Sequence, residues 1–201
     1  GSGGREGLFG FTESQEMFQR EVRAFARKEL APEASRRARL DHMPPEIIRK
    51  LADMGLFGMN LPEEYGGQPG DWVSMGIAIE ELARVDVAAA LLLFPAKIAG
   101  IAMGYGREAV RREWLPKLIS GEKMGALCLT EPNCGADAAA IRTRAVRDGD
   151  RYRLTGEKTS VSWGMQADVG VVFAKTDPAA GARGVSCFLV PLDLPGISRS
   201  A

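Results

Sequence analysis

Residues 129–137, LTEPNCGAD, place the Thr130 hydroxyl, the Glu131 and Asp137 carboxylates and Gly135 in one polar stretch directly after the apolar run MGALC. A surface hairpin needs two or three turn-forming residues, so a longer glycine-containing connection suits backbone amides and hydroxyls arranged around a ligand. A second polar stretch, TGEKTSVSWG at 155–164, adds Lys158, Ser160 and Ser162. Glu131 and Asp137 are read as caps of the turn and strand end rather than as ligand contacts. Other chemistry is poorly served. His42 is the single histidine and sits beside a turn, so no Ser/His/Asp set forms without it. Cys128, Cys134 and Cys187 lack CxxC spacing and imply neither a zinc site nor a disulfide framework. GYGREA at 104–109 fits a permissive dinucleotide fingerprint but follows a helical run instead of a strand, and is read as helix-ending glycines. TGEKTS at 155–160 lacks the upstream glycine of a phosphate loop and is read as a β-turn.

The elements that must position these stretches fall into two halves. From Thr12 to about Ser120 the apolar period is helical. Thr12 and Gln15 offer a capping box, and Phe18, Val22, Phe25, Ala26 and Leu30 follow on one face. PPEIIRKLADMG begins with prolines suited to a first turn and stops at Gly55. Asp71 caps WVSMGIAIEELARVD, in which Glu80 and Arg84 stand one turn apart. VAAALLLFPAKIAGIAMGYG is apolar nearly all round, a buried helix bent or restarted at Pro95, and REAVRREWLPKLISG is amphipathic. After Gly121 the period changes to two: KMGALCLT, IRTRAVRDGDRYRLTG, KTSVSW, DVGVVFAKT and GVSCFLVPL read as short strands, with Asp148-Gly149 as a hairpin signal. The fold class is therefore α+β, with residues 1–10 a tag or disordered, an all-helical domain over 11–122, and a small β-barrel or sandwich-like domain over 123–201.

Composition narrows the partners. The 201 residues carry 26 basic and 26 acidic side chains, so there is no electrostatic footprint for nucleic acid or an anionic membrane. The opening GSGG reads as a cloning remnant instead of a targeting signal, and the apolar run VAAALLLFPA is too short to span a bilayer. A reducing, cytoplasmic location is the default.

Taken with their spacing, the two polar stretches and the run AKTD at 174–177 resemble the acyl-CoA dehydrogenase family. The matching residues are Leu129, Thr130, Glu131, Pro132, Gly135, Asp137, Gly156, Lys158, Val161, Ser162, Gly164, Ala174, Lys175, Thr176 and Asp177. LPEEYGG, EELARVD and REWLPKLISGEK resemble the family's helical landmarks, so the resemblance covers nearly the whole chain. It implies an FAD enzyme that removes the α-proton of an acyl thioester with a carboxylate while the β-hydrogen leaves as hydride to flavin. Cofactor contacts are expected from Leu127, Leu129, Thr130, Gly135, Ala136, Ser160, Val161 and Ser162, and a substrate contact from Ala136. Two departures stand out. Ser160 occupies the position of the family's flavin-stacking tryptophan, a contact worth on the order of 1 kcal/mol, and Ala136 replaces its loop serine. Trp163 is not expected to restore the ring, because neighbours on a strand face opposite sides. The family's base lies in a C-terminal helical domain, so no catalytic residue is named in this chain, which is expected to be a fragment inactive by itself. The implied partners are an acyl-CoA or acyl-carrier-protein thioester, an electron-transferring flavoprotein or other acceptor, and further copies in a homo-oligomer. A related flavin oxidase or monooxygenase, or a non-catalytic binding module on the same scaffold, are the alternatives.

Overall fold

The computed structural model describes residues 10–200; the proposed tag at the start of the chain lies almost wholly outside them. Thr12 and Gln15 close the expected capping box: Gln15 N–H donates to the Thr12 hydroxyl at 3.2 Å, and Thr12 N–H to the Gln15 side chain at 3.0 Å. They start α1, Glu13–Phe25. Its apolar face continues through wider π-type turns at Ala26–Leu30, and Val22, Ala26 and Leu30 are buried. α2 (Ala34–Arg37) is a single turn, α3 (Pro45–Asp53) begins on its proline, and the chain leaves α3 through Gly55 at φ +73°. Asp71 caps α4 (Trp72–Ala83), accepting from Ser74 N–H at 2.8 Å.

Two ion pairs that periodicity does not reveal lock these helices together. Arg23 on α1 grips the buried Glu81 of α4 with two bonds of 2.9 and 2.7 Å. Arg37 pairs with Asp86 at 2.7 Å and donates to the Leu30 carbonyl, while Asp86 caps α5 (Val87–Leu91) through Ala89 N–H at 3.0 Å. In both pairs the buried carboxylate meets a guanidinium, and Arg37 and Asp86 make further hydrogen bonds, the condition under which burial is tolerated.

The long apolar run restarts as expected, separating at Leu92 into α5 and α6 (Leu93–Gly104), with Pro95 in the first turn of α6. Its extent corrects the length argued from sequence: residues 87–104 have a mean hydropathy of 1.9 over 18 residues, enough by length and composition to cross a bilayer. The fold uses them differently. They are broken midway, 47% buried, and α6 lies against the first strand. α7 (Glu108–Ile119) completes the helical half despite Pro116.

The small β-domain takes the form of one five-stranded mixed sheet: β1 (Gly125–Cys128), β2 (Arg144–Asp148), β3 (Arg151–Thr155), β4 (Val169–Lys175) and β5 (Val185–Pro191). β4 is its spine. It pairs antiparallel with β5 along one edge, and parallel with β1 and then, at Lys175, with β2 along the other. β2 and β3 form the expected hairpin, with Asp148 opposite Arg151 and Gly149 at φ +65°. KTSVSW departs from expectation because it is not a strand. Ser160 and Trp163 have φ of +53° and +61°, incompatible with an extended run, and both edges of β4 are already taken. TGEKTS at 155–160, read as a β-turn, instead ends β3 at Thr155 and runs on as an irregular connection to a bend at Ser160.

The two halves share a core. Tyr65, Ala99, Met103, Leu115 and Leu118 from the helices pack with Val169 and Val171 of β4. Close approach of α6 to β1 depends on Gly125, where an added Cβ would lie 2.9 Å from the Ala99 Cβ and 3.4 Å from Leu118. Gly125→Val should therefore wedge helix from sheet and cost about 1–3 kcal/mol. Urea denaturation of Gly125→Val, Ala99→Gly and the double variant checks this: the double should lose less than the sum of the singles, and strict additivity would place the strain elsewhere.

Candidate functional site

The two polar stretches converge on one buried carboxylate. Glu131, 4% exposed, accepts from Arg142 N–H at 2.5 Å, Thr143 N–H at 3.0 Å and Lys158 Nζ at 2.8 Å. Lys158 Nζ also donates to the Leu129 carbonyl at 2.9 Å, and Thr159 N–H donates to the Thr130 carbonyl at 2.9 Å. The second stretch is thus stitched to the first by side chain and backbone together. Gly156 permits the approach, since an added Cβ would overlap the Thr143 hydroxyl and lie 2.7 Å from the Thr143 Cα. Burial by itself would raise the Glu131 carboxyl, but the Lys158 ammonium and the N–H groups of Arg142 and Thr143 outweigh it and hold it at about 2.

Glu131 also shapes the loop through its own backbone, exchanging bonds of 2.9 and 3.1 Å with Cys134. Asp137 caps the following turn, accepting from Ala139 N–H at 3.1 Å. Both carboxylates are therefore committed to structure. His42 is half exposed on the surface, hydrogen-bonded to Asp41 at 2.7 Å. The cysteines are free, and no cluster of metal-ligating side chains occurs among the described residues.

Around this junction the expected contact residues divide into two kinds. Leu127 and Val161 turn their side chains into the protein: Leu127 packs on the core shared by helices and sheet, Val161 on Ala126, Cys128 and Ala167. Both remain partly exposed. Leu129 is half-buried with its carbonyl taken by Lys158. Thr130 is half-buried beside Gly135, where an added Cβ would fall 3.8 Å from the Thr130 methyl and meet nothing else within 4 Å. Gly135, Ala136, Ser160 and Ser162 are exposed. The N–H groups of Gly135, Ala136, Val161 and Ser162 donate to no acceptor among the described residues. Unpaired amides and a hydroxyl beside an open glycine suit an anionic or acceptor-rich ligand such as a flavin with its pyrophosphate.

Trp163 does not extend the site by strand alternation, because its segment is a turn. The indole packs against the helical core and lines a small cavity with Ile48, Phe57, Leu92 and Ala96. Two further residues went unread in the sequence. Gln166 bonds the Met43 backbone, and Arg199 donates to the carbonyls of Gly164, Met165 and Ala167. Their partners lie 32 to 123 residues away, beyond any local pattern.

A helical domain joined through a shared core to a small mixed sheet, with two polar loops held side by side, defines a two-domain α+β class. Comparison places the chain within that class: residues 12–122 match the acyl-CoA dehydrogenase N-terminal domain and residues 126–201 the acyl-CoA dehydrogenase middle domain. The chain belongs to the acyl-CoA dehydrogenase family. An acyl-CoA dehydrogenase of Bacillus subtilis is 38% identical over 93% of this chain and 50% of its own length. A solved glutaryl-coenzyme A dehydrogenase in complex with glutaryl-CoA is 38% identical at a TM-score of 0.89, over 96% of this chain and 50% of that one. The glutaryl-CoA dehydrogenase of Mycobacterium smegmatis, solved in complex with FADH2, is 33% identical at a TM-score of 0.84, over 92% of this chain and 47% of that one. The chain spans about half the length of the relatives it matches.

Glu131→Gln should cost about 3–5 kcal/mol at neutral pH by leaving Lys158 buried without its counter-charge. Because the folded carboxyl sits at about 2 against an ordinary 4.5, its stabilisation is complete above pH 4.5 and drains away as pH falls toward 2. The gap between the urea midpoints of wild type and variant should be wide at pH 7 and narrower at pH 3; equal midpoints at pH 7 would contradict the assignment.

Proposed function

We propose that this chain binds FAD and serves α,β-dehydrogenation of an acyl thioester. The observation that carries the reading is the Glu131–Lys158 junction, which sets the unpaired amides and hydroxyls of two loops beside each other. The relative solved with FADH2 supports the cofactor. When bound, FAD supplies a two-electron acceptor for hydride. Thr130 and Ser162 offer hydroxyls to the flavin ring, Gly135 and Ala136 offer amides to the pyrophosphate, and Leu127, Leu129 and Val161 bound the ring through backbone and apolar surface. Ser160 supplies no aromatic face. Ala136 has no hydroxyl to offer the thioester, so its contact with substrate is limited to its methyl surface. Glu131 is excluded as the base, since a carboxylate held at about 2 with its oxygens committed is a poor proton acceptor. The proposal extends to an acyl-CoA or acyl-carrier-protein substrate, an electron-transferring flavoprotein as acceptor, a cytoplasmic location and a homo-oligomer.

The test is FAD titration of the intact protein followed by anaerobic exposure to a panel of acyl thioesters. Thr130→Val and Ser162→Ala should each weaken FAD by about 1–3 kcal/mol, the cost of leaving a buried polar partner unmet. Thioester-dependent bleaching of the flavin is expected in the full-length wild type, where a base that no residue of this chain supplies is in place, and not in residues 1–201 alone. Wild-type affinity in both variants removes them from the site, and bound flavin that no thioester bleaches favours a binding module.

A further inference from the structure

Residues 160–162 belong to no strand, so side chains must set their position. Lys158 holds one end. At the other end the chain turns back, with Gln166 and Ala167 N–H donating to the Trp163 carbonyl at 2.9 and 2.8 Å. From this turn the Gln166 amide crosses to the helical domain, where its Oε1 accepts from Met43 N–H at 2.8 Å and its Nε2 donates to the Met43 carbonyl at 2.8 Å. One side chain thereby makes both bonds of a two-residue bridge. Met43, 2% exposed, lies between α2 and α3 inside the helical core. These are the only side-chain hydrogen bonds joining residues 156–167 to the helical domain among the described residues. Trp163 rests on the same core, and Arg199 holds the carbonyls of the turn at 2.9 to 3.3 Å from the opposite, sheet-side segment.

We propose that Gln166 is a positioning residue for the cofactor loop, latching residues 160–162 to the helical domain at Met43. This rests on the reading that residues 160–162 face FAD. With the latch closed, the amides of Val161 and Ser162 stay aligned with those of Gly135 and Ala136 at no ordering cost when the ligand arrives. With it open, the turn keeps its Arg199 bonds but loses its reference to the helices.

The test uses Gln166→Met, which removes both bonds at similar volume, and Gln166→Glu, which sets a carboxylate against the Met43 carbonyl until it protonates. FAD affinity is read by flavin fluorescence in the intact protein. Trp163 emission is read without FAD in a Trp72→Phe/Trp114→Phe background. Loss of two ordinary hydrogen bonds should weaken FAD about tenfold in Gln166→Met at any pH; Gln166→Glu at pH 8 keeps the bond accepted from Met43 N–H but sets a carboxylate against the Met43 carbonyl, and should also weaken FAD. Trp163 emission should shift red in both. At pH 4, below the ordinary glutamate value of about 4.3, the introduced carboxyl group is mostly protonated and can donate its hydroxyl hydrogen to the Met43 carbonyl, so Gln166→Glu should recover toward the affinity of the wild type measured at that pH, while Gln166→Met should not. Wild-type affinity in Gln166→Met, or an emission shift without loss of affinity, overturns the proposal by assigning Gln166 to the fold alone. Absence of pH rescue in Gln166→Glu overturns it where Gln166→Met fails to fold. A wild-type protein that binds no FAD overturns the cofactor reading itself, and is distinct from a flavin-binding wild type whose variants are indifferent.

Discussion

The buried pair of Glu131 and Lys158 is the constraint on which the site depends. It is expensive to maintain. An ionised carboxylate in this setting survives because two backbone N–H groups and an ammonium saturate it, and the ammonium in turn is shared with the Leu129 carbonyl. Neither loop could hold its shape by strand pairing, since the first leaves β1 and the second never joins the sheet. The charge pair does what a ladder would otherwise do, and leaves the outward amides free.

That division of labour explains why the scaffold beneath is so conventional. β4 lies between β5 and the successive strands β1 and β2, and its residues Val169 and Val171 share a core with α6 and α7. The first loop leaves β1, which pairs with β4 and lies against α6, and the second leads into β4 itself. Loops can carry a ligand site when their roots do not move. The helical half contributes more than bulk, because Met43 and the core around Trp163 reach the second loop directly.

Much of this was legible in residue order, for local reasons. The Thr12–Gln15 box, the Asp71 cap, the Gly55 stop and the Gly149 hairpin are written within a few residues of one another. The proximity of the two polar stretches came from resemblance, not from periodicity. Residues 158–163 misled for a physical reason: Thr159 and Val161 alternate like a strand, but no free edge of β4 remained and Ser160 and Trp163 take positive φ. The long-range pairs Arg23–Glu81, Arg37–Asp86, Lys158–Glu131 and Gln166–Met43 have no sequence signal, because each joins segments that only packing brings together. The apolar run at 87–104 shows the converse limit, since composition suits a bilayer while the fold breaks it, buries 47% of it and sets α6 against β1.

The central claim is that the unpaired amides of two separate loops face one ligand. Residue-resolved amide hydrogen exchange, with and without FAD, addresses it most directly. The account predicts that Gly135, Ala136, Val161 and Ser162 exchange freely without FAD and slow together when it binds, while Thr159, already bonded to the Thr130 carbonyl, is protected in both states. FAD-bound protein in which those four amides still exchange freely, or in which only one loop is protected, would contradict it.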